Sequence, residues 1–235
     1  MSEHQKTIGL IGGMSWESSA HYYEVINAYV GRELGDLHSA KIILYSVDFH
    51  DIEQLQAAGK WDEIRVILSD TARKLESAGA DFIVMCSNTI HKLAADIQNA
   101  VSVPLLDIVT VTGELAFASK YKTVALVGTT YLLEDGFYAE RLRDDFGLTV
   151  IQPNITEIER INNALFSEIA DGDVTPSTKA AFVALIENLA SQGADAVILG
   201  CTEYGLVVDA SDVAIPLIDT AIIHAERAAI QSLES

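Results

Sequence analysis

The sequence is short of several things that would have pointed elsewhere. It has two cysteines, Cys86 and Cys201, in 235 residues. That is too few for a disulfide framework and fits a reducing compartment. No apolar run approaches the ~20 residues that a membrane helix requires. The opening segment, MSEHQKTIGLIGG, lacks the apolar core of a secretory signal, so a cytoplasmic protein is expected. Basic residues are scarce: 15 Lys and Arg stand against 34 Asp and Glu, a net charge of −19. Such a surface is a poor match for nucleic acid or an anionic membrane, and neither is expected as a partner. An anionic ligand would need local cations or backbone N–H groups acting against the overall field. Prolines number four, and no low-complexity segment or linker interrupts the chain. His21, His50 and His224 have no metal-ligand spacing with the cysteines, so no metal is expected.

What is present is a layered α/β pattern. Apolar residues make up 49% and charged residues 21%, as in an ordinary globular protein. Strands are expected at Lys6–Gly13, Lys41–Asp48, Asp81–Cys86, Val103–Asp107, Thr123–Gly128, Leu148–Gln152, Asp195–Gly200 and Ile215–Asp219. Amphipathic stretches lie between them, among them Glu17–Leu34, Trp61–Ala78 and Ser177–Gln192. Alternation of this kind implies parallel βαβ units. Most strand segments are unbroken apolar runs, as expected when helices cover both faces of a sheet. Pro104 and Pro216 are each expected to open a strand, a position that tolerates a missing N–H.

The chain also repeats itself. KTIGLIG (Lys6–Gly12) returns 116 residues later as KTVALVG, SAGADFIV (Ser77–Val84) returns after 114 as SQGADAVI, and VPLLD (Val103–Asp107) returns after 112 as IPLID. The order is kept and the offset drifts slowly. The fold class expected is therefore α/β, with two pseudo-symmetric parallel-sheet halves. The first takes residues 1–105 with 218–235 and the second residues 106–217, so that the last helix packs back onto the first half. Ligands in open α/β sheets sit beyond the carboxyl ends of strands. Two such halves facing each other would enclose an active-site cleft with pseudo-mirror character, suited to substrates that are mirror images.

At the local offset of 114, the loop Met85-Cys86-Ser87-Asn88-Thr89-Ile90-His91 aligns with Leu199-Gly200-Cys201-Thr202-Glu203-Tyr204. Ser87 then matches Cys201, and Cys86 matches Gly200. Cys86 is one residue too early and should face the other side of its strand, as a small buried hydrophobe. Cys201 follows a glycine at a strand end, ahead of an expected helix start. There the helix dipole and free N–H groups would lower the pKa of a working thiol.

These residues resemble the aspartate/glutamate racemase superfamily, which uses neither pyridoxal phosphate nor metal. The resemblance covers essentially the whole chain. It rests on Gly9-Leu10-Ile11-Gly12-Gly13-Met14-Ser15-Trp16-Glu17, on Ser87-Asn88-Thr89 with His91, and on Gly200-Cys201-Thr202-Glu203. Together with Ser46-Val47-Asp48-Phe49-His50, the opening motif resembles the bacterial broad-specificity aspartate/glutamate racemase branch. The resemblance implies cofactor-free racemisation of an acidic amino acid by two bases, one on each face of the α-carbon, in an enzyme that forms a homodimer. Here the first-half thiol position holds Ser87. A free thiol ionises near ~8.5, whereas a serine hydroxyl is far more reluctant. Cys201 is then the competent base and Ser87 a weak acid or proton relay. By family analogy the second-half cysteine addresses the L-enantiomer, so L-substrates should be preferred.

The same resemblance, together with the chemistry, singles out further site residues. Ser15 and Gln56 resemble substrate-contact positions, although Gln56 also reads as an ordinary surface-helix residue. Asn88, Thr89 and Thr202 are placed to donate to the α-carboxylate. Thr129 and Thr130 either line the cleft or simply cap a helix. A distal carboxylate would call for a cation, and the candidates are Arg160 and Lys179. His91, one turn past Ser87, either bonds into the site or packs, and Glu203 either orients the surroundings of Cys201 or is a favourable first-turn charge. Two alternatives stay open: another single-cysteine member of the superfamily, such as a decarboxylase or isomerase, and a non-catalytic protein that binds an acidic amino acid.

Overall fold

The computed structural model describes residues 5–170 and 174–234. Along the first part of the chain come β1 (Ile8–Gly12), α1 (Trp16–Leu34), β2 (Ile42–Ser46), α2 (Phe49–Ala57), α3 (Trp61–Ser77), β3 (Phe82–Met85), α4 (Ala94–Ala100), β4 (Leu105–Leu106) and α5 (Ile108–Ala118). After these come β5 (Thr123–Gly128), α6 (Thr130–Asp135), α7 (Phe137–Phe146), β6 (Thr149–Ile151), α8 (Ile155–Ala170), α9 (Pro176–Ser191), β7 (Ala196–Gly200), β8 (Leu217–Asp219) and α10 (Thr220–Leu233). All eight expected strands are present, trimmed by at most two residues at either end. Among the described residues, no helix is long and apolar enough to cross a membrane.

Two compact units result, Met1–Val111 with Ala221–Ser235, and Thr112–Thr220. The division falls inside α5 and at the start of α10. Each unit holds one four-stranded parallel sheet, in the order β2-β1-β3-β4 in the first and β6-β5-β7-β8 in the second. The same order in both accounts for the sequence repeat.

In the first unit, the strand pleat sorts side chains onto two faces. Ile8, Leu10, Phe82, Val84 and Cys86 point to one side, where they meet Tyr22, Ile26 and Val30 of α1 and the alanine face of α10 (Ala221, Ala225, Ala228, Ala229). Ile11, Ile83 and Met85 point to the other, against Ile64, Leu68, Ala72 and Leu75 of α3. The helical residues recur every three or four positions, which is one face of each helix. Inside this core, the Tyr22 hydroxyl hydrogen-bonds His224 Nδ1 at 2.9 Å and so joins α1 to α10.

The repeated Gly-Ala-Asp has a repeated job. Gly79 and Gly193 both lie at φ +98. Two residues on, Asp81 Oδ2 accepts from Thr7 N at 2.6 Å, and Asp195 Oδ2 accepts from Lys122 N at 2.8 Å and Thr123 N at 2.9 Å. Each aspartate thus fastens the start of the neighbouring central strand. The prolines differ slightly from expectation. Pro104 and Pro216 stand just before β4 and β8 and contribute only their carbonyls, to Ile83 N and Val197 N at 2.9 Å each. Lacking an N–H to donate, they leave those strands two and three residues long.

A Cβ at either Gly79 or Gly193 would meet nothing within 4 Å, so substitution there costs backbone strain alone. Gly79→Ala and Gly193→Ala should each lower stability by about 1–2 kcal/mol, with unchanged urea m-values and nearly equal shifts in midpoint.

Candidate active site

Each sheet reverses its strand order beside its second-placed strand, and the crevice beyond the carboxyl ends at such a reversal is where α/β sheets bind ligands. In the first unit this places the loop after β1 next to the loop after β3. Ile11 pairs with Met85, and Cys86 N donates to the Ile11 carbonyl at 2.9 Å. In the second unit, the register Gly128↔Gly200 brings the loop after β5 next to the loop after β7. The candidate residues divide between these two places.

In the first unit the β1 loop is built by Gly12 and Gly13. Gly13 has φ +90, and a Cβ there would run into the backbone of Val47. Its N–H donates to Ser19 Oγ at 2.7 Å. Ser15 then caps α1, its side chain accepting from Ser18 N at 3.3 Å. Ser87 and Asn88 follow β3 after Cys86 and are both buried. The next residues form a single 3₁₀ turn, Thr89–Leu93, where a helix start was expected. That turn carries His91 back onto its own loop, where Nδ1 donates to the Ser87 carbonyl at 2.6 Å. A carbonyl only accepts, so Nδ1 carries the proton. Behind it lies His224, ring centroids 5.5 Å apart. His224 Nε2 donates to the Leu106 carbonyl at 3.1 Å. Burial, and secondarily His91, push the His224 pKa down from 6.5 to about 3, so this histidine is neutral. Cys86 belongs to the apolar cluster of α1 and α10, and burial pushes its thiol pKa up. Gln56 is 9% exposed on α2, a buried residue and not a surface one.

In the second unit, Cys201 directly follows Gly200 and is 6% exposed. Its S–H donates to Glu203 Oε2 at 3.0 Å, and Thr202 Oγ1 donates to the same oxygen at 2.8 Å. The chain continues from there as a second 3₁₀ turn, Tyr204–Leu206. No regular helix begins here to lend its dipole, and the expected lowering of the thiol pKa is not found. Burial first, then the Glu203 carboxylate, then Asp219, raise it well above its ordinary value. At rest Cys201 is a thiol. The Tyr204 hydroxyl braces the loop from beneath, facing two acceptors, Asn162 Oδ1 at 2.5 Å and the Gly128 carbonyl at 2.8 Å. Thr129 caps α6. Arg160 is exposed on α8. Lys179 is committed elsewhere, to Asp212 at 2.8 Å.

Sequence reasoning missed Asp219, Tyr204, Asn162 and the pairing of Cys201 with Glu203. The repeat pointed to Asp219, since it is the counterpart of Asp107. A turn in place of a helix after Cys201 was the missing signal for Glu203, because only a turn folds residue i+2 back onto residue i.

The model of the Asp/Glu/Hydantoin racemase family matches residues 11–228. The chain belongs to that family. It is 30% identical over 220 residues to the broad specificity amino-acid racemase RacX of Bacillus subtilis, covering 91% of this chain and 92% of that one. A candidate Asp/Glu racemase from Yersinia pestis has 46% identity and a TM-score of 0.91, covering 97% of this chain and 100% of that one. An aspartate racemase homologue from Pyrococcus horikoshii has 33% identity and a TM-score of 0.84, with the same coverage of both chains. This family member is an isomerase, of the amino-acid racemase type.

Burial of His224 makes folding stability depend on pH. The unfolded chain takes up a proton there below pH 6.5, and the folded chain only near pH 3. The contribution is present above pH 6.5 and lost as pH falls toward 3. Urea unfolding at pH 7 and pH 4 should show a loss of up to about 3 kcal/mol from this group, and His224→Gln should shrink the pH dependence.

Proposed function

We propose that this racemase interconverts the enantiomers of aspartate and/or glutamate without a cofactor, using Cys201 as its one thiol base and Ser87 as the proton donor for the opposite face of the α-carbon. The observation that carries the reading is the match between the two strand-end loops. Ser87 lies two residues past Met85, which pairs with Ile11, and Cys201 two past Leu199, which pairs with Val127, in like-ordered sheets, and only one of the two is a thiol.

The chemistry is asymmetric as a result. Cys201 takes the α-proton of the L-enantiomer, and a carbanion forms that fixed donors must stabilise. Asn88, Thr89 and Thr202 supply such donors to the α-carboxylate, and Ser15 and Gln56 complete the substrate contacts. A serine hydroxyl ionises far less readily than a thiol, so kcat is the higher for the L-substrate, offset by its KM because enantiomers are equally stable and kcat/KM is the same in both directions. Arg160 is the remaining candidate for the distal carboxylate, since Lys179 is held by Asp212. His91 holds the Ser87 carbonyl and so fixes the loop from which Ser87 acts.

Incubation with each enantiomer of aspartate and glutamate in D₂O, with no cofactor added, tests this reading. Inverted product carrying α-deuterium, formed with the higher kcat from the L-substrates, is the expected result. Cys201→Ala should lose about 100-fold or more, and Ser87→Cys should raise kcat on D-substrates relative to L. Retention of most activity by Cys201→Ala would refute the assignment. Absence of exchange with all four substrates would refute the reaction.

A further inference from the structure

α10 covers the first sheet with an alanine face, and one histidine interrupts that face. His224 is fully buried. Its Nε2 donates to the Leu106 carbonyl at 3.1 Å, which leaves Nδ1 as an acceptor, so the Tyr22 hydroxyl donates to it at 2.9 Å. The two bonds hold the ring from two sides and fix its tautomer and its rotation. Packing alone asks for neither polar group. Burying an imidazole and a phenol oxygen costs free energy unless they are hydrogen-bonded, and replacing both partners by apolar groups of like shape is nearly neutral. The ring held in this way stands edge-to-face against His91, with centroids 5.5 Å apart and planes at 73°. His91 is itself buried, and its Nδ1 donates to the Ser87 carbonyl at 2.6 Å. The other charged group bearing on His224 is Asp107, which is occupied at the start of α5, accepting from Thr110 N at 2.8 Å.

Building on the racemase reading above, we propose that His224 is a positioning residue for Ser87: held between Tyr22 and the Leu106 carbonyl, it keeps the His91 ring in the orientation whose Nδ1–H binds the Ser87 carbonyl. It acts through His91 and touches no substrate. Tyr22, His224 and His91 form a row of rings from α1 to the Ser87 loop, the first two with centroids 5.7 Å apart and planes at 84°. Each ring keeps its own proton, and the row transmits position only. A half-turn of the His91 ring would put a carbon where Nδ1 stands and break the bond to Ser87. The loop then relaxes and the Ser87 hydroxyl leaves its place at the α-carbon, where a displacement of ~1 Å is enough to slow the reaction about 100-fold.

The test follows racemisation of L-aspartate and L-glutamate together with the NMR signal of the His91 Nδ1 proton, which its 2.6 Å bond shields from exchange with solvent. His224→Phe keeps a ring and loses both hydrogen bonds. It should lower kcat about 10-fold or more and open the His91 proton to rapid exchange. His224→Gln keeps a donor and an acceptor and should restore most of the rate. Tyr22→Phe, which lacks a single oxygen, should slow the enzyme by a smaller factor, and it carries the same comparison if His224→Phe does not fold. Because His224 acts through His91, His224→Phe combined with His91→Leu should be no slower than His91→Leu alone. Full rate in His224→Phe overturns the inference, and so does an unchanged His91 proton signal, because His91 then keeps its place unaided. Equal slowing by His224→Gln and His224→Phe, or losses that add in the double variant, overturns it in favour of a purely structural role. Absence of racemisation in the parent protein refutes the racemase reading and the inference with it. A racemising parent with any of the contrary results refutes the inference alone.

Discussion

Parallel pairing of the two central strands in each sheet is the constraint on which the rest of the structure depends. β1 pairs with β3 and β5 with β7; β5 and β7 end together at Gly128 and Gly200, and β1 runs one residue past β3. Because the chain returns through a helix each time, the two carboxyl ends emerge side by side on one edge. Gly12 and Gly13 are glycines because Ser19 and Val47 leave no room for a side chain there. The two repeated aspartates, Asp81 and Asp195, pin the opposite, amino-terminal ends. With both ends of the central pair fixed, the loops beyond them have little freedom, and short turns suffice to present Ser87 and Cys201.

On this common scaffold, the two units set different electrostatic conditions. The Ser87 loop is backed by two histidines: His91 bonded to the Ser87 carbonyl, then the neutral His224 bonded to Tyr22 and Leu106. The Cys201 loop is backed by a phenol and an amide, with the Glu203 carboxylate at the sulfur and Asp219 acting on it through charge. Burial and the Glu203 and Asp219 carboxylates oppose charge on the sulfur, and no helix dipole offsets them.

Much of this was legible in the sequence. The eight strands could be read because buried parallel strands are continuous apolar runs, and the two units because the repeat kept its order. The position of Cys86 in the core followed from period-two alternation alone. The electrostatics of Cys201 were not legible. The helix dipole was inferred from a helix that proves to be one 3₁₀ turn, and burial, the largest influence on the thiol, is a property of the packed loop. The burial of Gln56 was likewise not legible, since a polar residue on an amphipathic helix carries no mark of being covered, and it removes only the reading of Gln56 as a surface residue. The engagement of Lys179 by Asp212, 33 residues away in sequence, joins a helix to a distant loop and has no local signature.

The return of α10 to the first unit bears on how the chain is made. The core between β1, β3 and α1 is completed only by Ala221, Ala225, Ala228 and Ala229. A ribosome therefore releases Thr112–Thr220 in full before the first-made unit can close. Until then Leu10, Tyr22 and Val84 lack the helix that covers them. The part of the chain synthesised first is thus completed by the part synthesised last, with the second unit inserted between them.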